Sequence, residues 1–356
     1  VHHPFTAATL TEFAQALLLQ SGVPQQNAWL VADSLVAANL RGVDSHGIQM
    51  LLPYLDQLAA GTMDPIAAGV PLSESGACLL YDGQNGIGQV IAAECVRHAL
   101  RLARAHGVAV VSARNSNHFG AAAYWAQQLA AEGCYAIVTS NASPAVPPWP
   151  GVEPRLGTNP LCMAVPGSEE DAWLLDMATT TVSLGKMHAA SYRGETTLPA
   201  GWATDRHGVP TTHLATALAG LPTPIGGYKG TGLALMVELL SAGLSGGPMS
   251  TDVGSLRSGF MTLGISHFFL AIDVGRFQGP EEFAARLGRL TGNIKSTSPA
   301  PGHDEVLMTG EPECRMRDQR LRNGIPIAGA LLDSLTARAR IIGVPPPEPI
   351  AQEGAY

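Results

Sequence analysis

Gly83-Gln84-Asn85-Gly86-Ile87-Gly88 follows a short apolar run, Ala77–Tyr81, and leads into an amphipathic segment, Gln89–His106, and a second apolar run, Val108–Ala113. Strand, glycine turn, helix and strand in that order invite comparison with the Gly-x-Gly-x-x-Gly unit that seats a dinucleotide. Here the spacings are reversed, Gly-x-x-Gly-x-Gly. The second and third glycines fall where that fingerprint cannot use them, and a hairpin or strand-to-helix turn accounts for them better. The chain therefore reads as α/β without the Rossmann fingerprint.

Further apolar runs at Cys134–Ser140, Pro160–Val165, Trp173–Met177 and Phe268–Val274 alternate with amphipathic segments around Ala121–Glu132, Lys229–Leu244 and Glu281–Leu290. This pattern predicts a sheet covered by helices. Upstream, Thr9-Leu10-Thr11-Glu12 reads as a capping box, and Leu10, Phe13, Ala14, Leu17 and Leu18 share one helix face. Gly22 stops that helix, and Pro24 opens another that runs to about Leu40. His2-His3 reads as a frayed end. The expected organisation is a helical N-terminal domain over 1–75 and an α/β body over 76–323. A C-terminal helix and Pro-rich tail, 324–356, are expected to pack back on the N-terminal domain.

At 356 residues the chain is long enough for two domains, or for one large domain with an attached one. Apolar residues make up 46% and charged residues 14%, a composition that excludes disorder. The net charge of −8, with no cluster of Lys or Arg, argues against nucleic acid or an anionic membrane as partner. Prolines 144, 147, 148 and 150 break the longest uncharged run, 133–152, so a membrane helix is not expected there. Five widely spaced cysteines and the lack of a basic n-region before Arg41 are read as a reduced, cytoplasmic protein. The low charge has a second meaning, because subunit interfaces lose charge at their core.

Several catalytic motifs fail. Thr180 and Met187 stand where a P-loop around Lys186 needs Gly and Ser/Thr, and Val43 stands where a nucleophile elbow at Ser45 needs Gly. Four stretches survive. Arg41-Gly-Val-Asp-Ser-His-Gly47 carries His46, for which a helix cap or core histidine is the favoured bland alternative. Asn115-Ser-Asn-His-Phe-Gly120 places His118 in a loop after a strand, where reactive groups of α/β proteins gather. A histidine merely bonded to backbone weighs about equally. Gly157-Thr-Asn-Pro160 with Leu175-Asp-Met-Ala-Thr-Thr180 suits a phosphate or carboxylate, or plain turn chemistry with Asp176 as a cap. Gly226-Gly-Tyr-Lys-Gly230 places Lys229 at a helix start, where a cation is opposed by the helix dipole and favours an anion nearby.

In order and spacing, these stretches resemble the type-2 malate/L-lactate dehydrogenase family. That family also includes sulfolactate, ureidoglycolate and 2,3-diketogulonate oxidoreductases and cyclic-imine carboxylate reductases. The resemblance rests on RGVDSHGI (41–48), DGQNGIGQ (82–89), NSNHFGAAAYW (115–125), GTNPLCMAVP (157–166), LDMATTTVSLGK (175–186), LPAGWATDRHGVPTT (198–212), GGYKGTGLALMVELLS (226–241), FFLAIDV (268–274), GEPE (310–313) and NGIPI (323–327). It implies a non-Rossmann mixed-sheet body with an N-terminal helical domain. It also implies a homodimer with the active site near the subunit interface, and hydride transfer between NAD or NADP and a small keto acid, hydroxy acid or cyclic imine.

Carried over by motif, the resemblance makes His118 the acid/base group and His46 a second proton donor. Ser45, Met50 and Thr158 become substrate contacts. Asn141, Ser143, Asp176, Met177, Ala178, Lys229, Gly310, Glu311 and Pro312 become cofactor contacts, and no metal is required. Hydride addition builds charge on oxygen or calls for a proton on nitrogen, and a positioned imidazolium supplies it. The chain departs from the family at two places: Met50 replaces the usual carboxylate-binding arginine, and His213 replaces an aspartate. The alternatives are an imine reductase of secondary metabolism, a non-catalytic cofactor-binding relative and, more distantly, a metal-dependent hydrolase using Asp44, His46 and His118.

Overall fold

The computed structural model describes residues 2–167, 173–192, 194–255 and 261–350; the end of the Pro-rich tail, 351–356, lies outside them. The chain opens with β1 (His2–Phe5), α1 (Ala7–Gln20), α2 (Gln25–Leu40) and α3 (Leu51–Ala60). Leu10, Phe13, Ala14, Leu17 and Leu18 are buried together on α1, as their spacing predicts. The cap differs from the expected box. Thr6 Oγ1 accepts from Thr9 N at 3.0 Å, so the helix begins a turn earlier.

The body follows as β2 (Val70–Ser75), β3 (Cys78–Asp82), α4 (Gly88–His106), β4 (Val108–Ser116), α5 (Ala122–Ala131), β5 (Cys134–Ser140), β6 (Leu161–Ala164) and β7 (Leu174–Met177). A small lobe contains α6 (Leu184–Tyr192), β8 (Ala203–Thr204), β9 (Pro210–Thr211), α7 (Leu214–Leu218) and β10 (Leu221–Pro222). The chain then runs through α8 (Tyr228–Glu238), β11 (Ile265–Asp273), α9 (Pro280–Lys295), α10 (Glu311–Asn323), β12 (Ile325–Ala328) and α11 (Gly329–Ile342). β12 pairs antiparallel with β1, placing His2 opposite Ala328 and His3 opposite Ile327. The expected frayed start is therefore a paired strand. The helix expected from about 324 begins only at Gly329, because Gly324 closes α10 and four residues of strand intervene.

The main sheet has seven strands in the order β2-β3-β4-β11-β5-β6-β7, and only β3 and β4 run parallel. A mixed sheet of this order is not the parallel, doubly wound sheet of a Rossmann fold. Phe269 of the central strand β11 faces Val111 on one side and Val138 on the other. The helices α4 and α5 bury Cys95, Ala99, Leu102, Trp125 and Leu129 in one core with these strands. A second core joins α1, α2 and α3 to Ile325 and Ile327 of β12 and to Leu335 and Ala339 of α11. The lobe keeps a small core of its own around Met187, Leu198, Ala203 and Leu214.

The glycine turn that rules out the Rossmann reading has a physical explanation here. Gln84 and Asn85 both have positive φ (50° and 60°), and Gly86 N donates to Gly83 O at 2.8 Å, which makes a type I′ turn. A Cβ on Gly88 would lie 2.3 Å from the carbonyl oxygens of Asn117 and His118. That glycine lets α4 approach the His118 loop, so its freedom serves contact with backbone.

Candidate active site

His118 follows β4 and is held from both sides. The Asn117 amide donates to Gly86 O at 2.8 Å and Asn85 O at 3.0 Å, pinning the loop to the I′ turn. Phe119 stacks face to face on His267, 4.4 Å between ring centres, and its carbonyl accepts from Trp125 Nε1. His267 is fully buried near the start of β11, with its ring nitrogens 3.0 Å from Ser140 Oγ and 2.8 Å from Ser116 Oγ. The imidazole of His118 is therefore aimed by a packed frame, although it sits on a loop.

Its tautomer follows from its partners. Gly120 N donates to His118 Nδ1 at 3.3 Å, and Tyr54 Oη lies 2.6 Å from the same atom. A backbone N–H only donates, so Nδ1 is the acceptor and the ring proton sits on Nε2. Gln89 Nε2 donates to Tyr54 Oη at 3.1 Å and turns the phenol proton toward the histidine. Burial raises the Tyr54 pKa, so the phenol stays protonated. His46 lies beside His118 with its ring nearly parallel, 22° between planes and 5.5 Å between centres. The Ser45 hydroxyl meets His46 Nδ1 at 2.9 Å.

Burial drives the pKa of His46 down to about 4, and that of His118 down to about 3 with help from His46 and His267. Both rings are neutral at pH 7, so the imidazolium expected from the sequence is a neutral Nε2–H donor at His118. Asp176 runs the other way. Asp176 stands exposed at the end of β7, and desolvation of its carboxylate by the surrounding chain raises its pKa against the opposing Ala123 N–H and Arg41. Ala123 N in the first turn of α5 donates to Asp176 Oδ2 at 2.9 Å.

The same arrangement predicts acid sensitivity. His267 is neutral when folded, with its pKa pushed to about 3 by burial, and ordinary when unfolded. The unfolded chain then binds more protons below the unfolded pKa of about 6.5, so this contribution is complete above that value and is lost as pH falls toward the folded one. At pH 5 the loss on this account is roughly 2 kcal/mol for His267. His46 and His118 act with it, while Asp176, with a raised pKa, gains from acid. Thermal melts should therefore drop from pH 7.5 to pH 5, and His267→Asn should flatten that slope while lowering stability at both.

Bonds across the chain bring the four sequence stretches together. Asp176 meets the start of α5 beyond His118. Thr179 N donates to Thr158 O at 2.9 Å, and Ile225 N donates to Thr179 O at 3.0 Å, just before Lys229 in the first turn of α8. A Cβ on Gly185 would strike Ser45 Cβ at 2.3 Å, so the lobe's first helix touches the His46 turn. Gly310 packs on the start of β7, against Leu174. Glu311 is engaged with Lys295, Arg315 and Met308 N, and Pro312 sits in the first turn of α10. Lys229 is exposed and has no ion-pair partner among the described residues.

Several of the expected contact residues are also bonded or packed within the protein. The Asn141 amide is almost fully buried and is spent on Pro248 O, Glu238 Oε1 and Ser266 N. Ser143 Oγ donates to Gly254 O at 2.6 Å. His213 is an exposed cap of α7. Met50 ends a short 3₁₀ turn, is half-buried and packs in part on the N-terminal core. Among the described residues, no three His, Cys, Asp or Glu side chains converge as metal ligands.

Sequence reasoning missed Tyr54, Gln89, Asn39, Arg320 and Glu238. Glu238 is a buried carboxylate on α8 that accepts from Asn159 Nδ2, Asn141 Nδ2 and Ser250 N, gathering the loops around Thr158. It sits inside the apolar run after Lys229, where a lone carboxylate was the available signal.

The mixed-sheet body, without a dinucleotide fingerprint, carries the stacked His46–His118 pair and, bonded to the helix that follows the His118 loop, the Asp176 carboxylate. Residues 5–336 match the family model described as malate/L-lactate dehydrogenase. The chain belongs to that family and is an enzyme of the dehydrogenase or reductase kind. It is 37% identical to the malate dehydrogenase of Pyrococcus abyssi, over 94% of each chain. The structure of malate dehydrogenase from Entamoeba histolytica matches with a TM-score of 0.92 at 30% identity, covering 98% of this chain and all of that one. Delta1-piperideine-2-carboxylate reductase from Pseudomonas syringae pv. tomato matches with a TM-score of 0.82 at 29% identity, over 94% and 99% of the two chains. Other relatives are named L-sulfolactate dehydrogenase and ureidoglycolate dehydrogenase (NAD(+)).

Proposed function

We propose that this chain transfers a hydride between a nicotinamide dinucleotide and a small keto acid, hydroxy acid or cyclic imine, with the proton passing through His118. The observation that carries the reading is the Gln89–Tyr54–His118 chain, which occupies Nδ1 and leaves Nε2–H as the donor of the ring. A neutral donor so fixed stabilises charge developing on the substrate oxygen without reorganising. Negative charge arriving near the ring raises its proton affinity, so the proton consumed per turnover enters at the His46–His118 pair.

The residues present suit the cofactor. The exposed ammonium of Lys229 offers a counter-charge to a phosphate, and the open face of Asp176 accepts from a ribose hydroxyl. Met177 and Ala178 follow that carboxylate in the chain, and Gly310 packs on Leu174 at the start of the same strand. Asn141 and Ser143 serve by shaping the adjoining loop. The cofactor supplies the hydride. The dinucleotide is NAD or NADP. Lys229→Ala should weaken binding of NADH in calorimetry by about tenfold, the scale of one charged hydrogen bond. Unchanged affinity would remove Lys229 from the site.

The test of the whole reading is a panel of keto acids and cyclic imines followed by NADH and NADPH absorbance, and no turnover with either cofactor would overturn it. Met50 and the likeness to the piperideine carboxylate reductase favour a second reading, an imine reductase. We place the protein in the cytoplasm, where its five unpaired cysteines would persist. We also infer a homodimer. Along α8 and the turn after it, Tyr228, Leu235, Leu239 and Leu244 are 70%, 46%, 59% and 59% exposed. Light scattering at micromolar concentration should give a dimer, and a monomer would refute this assembly.

A further inference from the structure

The turn that carries Ser45 and His46 has almost no regular structure of its own. It consists of two 3₁₀ turns, Asp44–His46 and Ile48–Met50. It is held by side chains reaching in from elsewhere. Arg320 of α10 grips Asp44 with both terminal nitrogens, Nη1 to Oδ1 at 2.6 Å and Nη2 to Oδ2 at 2.9 Å, and Nη1 also donates to Asn39 O. Asn39 of α2 completes the clamp, donating to Asp44 Oδ1 at 2.6 Å and accepting from Ile48 N at 2.7 Å. Gly47 lies so close that a Cβ there would sit 2.3 Å from the Asn39 amide. The Arg320 side chain is only 10% exposed, so this fork pair is shielded from water on the arginine side.

The opposite end of α10 meets β7. Gly310 packs on Leu174, and Arg41, the first residue of the histidine stretch, reaches Cys314 of α10 with Nη1. One helix thus bridges the strand that ends in Asp176 and Met177 and the turn that carries His46.

We propose that Arg320 is a positioning residue of the reaction: through its fork on Asp44 it sets the Ser45–His46 turn against His118. It touches no reacting atom. Its effect is geometric, and a misplacement on the order of 1 Å costs roughly 100-fold in rate. The kinetic part of this inference rests on the function proposed above; the geometric part does not. Lysine keeps the charge but cannot make the two-pronged pair, so Arg320→Lys should fail almost as badly as Arg320→Ala.

The experiment has two arms on the full-length protein. In the first, carbethoxylation of His46 by diethyl pyrocarbonate is followed by mass spectrometry in the absence of any substrate. The reaction should be several-fold faster in Arg320→Lys and Arg320→Ala, at temperatures where melts show both folded. In the second, kcat/KM with the compound turned over fastest in the keto acid and imine panel should fall by roughly 100-fold, with NADH affinity unchanged. Millimolar guanidinium should restore part of the rate to Arg320→Ala. If Arg320→Ala does not fold, Arg320→Lys carries both arms. An unchanged His46 rate in the folded variants overturns the proposal. A turnover loss matched by lost NADH affinity, without guanidinium rescue, overturns it as well. An inert wild-type enzyme instead overturns the function reading, and the modification arm still reports on Arg320.

Discussion

Replacing His118 by alanine is expected to lower kcat by about 100- to 10,000-fold, the usual worth of a positioned acid or base, with little change in NADH affinity. The split follows from geometry. The ring is built from behind, by Tyr54 on one nitrogen and the Phe119–His267 stack beneath. The groups suited to the dinucleotide, Asp176 and Lys229, lie on β7 and α8. Tyr54→Phe supplies the internal control. It removes the phenol proton offered to Nδ1 but leaves the Gly120 N–H in place, so the tautomer is weakened and not reversed. The loss there should be about 2- to 12-fold, one neutral hydrogen bond. A His118→Ala enzyme with near-normal kcat would pass the proton role to His46 or to water.

The fold was legible from the sequence because its strongest signals are periodic. The apolar runs at 134–140 and 268–274 became β5 and β11 within a few residues, and the buried face of α1 appears where its spacing puts it. What escaped notice lacks a local signature. The strand β2 is exposed at every residue, and α10 buries none, so neither shows an apolar stripe to read. The start of the chain is ordered by β12, more than three hundred residues away, through a pairing that no local window contains.

The site divides in the same way. His46 and His118 stand beside glycines in loops, and that setting marked both. Tyr54 falls on the buried face of α3 between Leu51 and Leu55, where a tyrosine reads as core. Its hydroxyl does chemical work only because Gln89, from another helix, reaches it. Arg320 looks like one more charge on a strongly polar helix until its partner Asp44 is placed beside it. Supporting contacts of this kind join residues far apart in sequence, and residue type alone does not reveal them.

Substitution of Met50 by arginine is expected to redirect the substrate. Met50 caps α3 one turn before Tyr54, the residue bonded to His118, and the proposed function puts it at the substrate. There it would offer an apolar, donor-free side chain. Arg320 is held by Asp44 through both terminal nitrogens, so its guanidinium is not free to take a substrate carboxylate at this point. A carboxylate placed against Met50 would lose water without gaining a partner. The favoured compound accordingly presents a ring or apolar group there, and is bulkier or less charged beside the reacting carbon than pyruvate. Met50→Arg restores a donor worth about 1.5–3 kcal/mol in a charged hydrogen bond, which corresponds to roughly 10- to 150-fold in kcat/KM for pyruvate. The same change should impair the compound that the wild-type enzyme reduces best, since a buried guanidinium facing an apolar group is uncompensated. Assays of both enzymes on both compounds decide the matter. Wild-type kcat/KM of about 10⁴ M⁻¹ s⁻¹ or above for pyruvate or oxaloacetate would show that another cation already does the arginine's work.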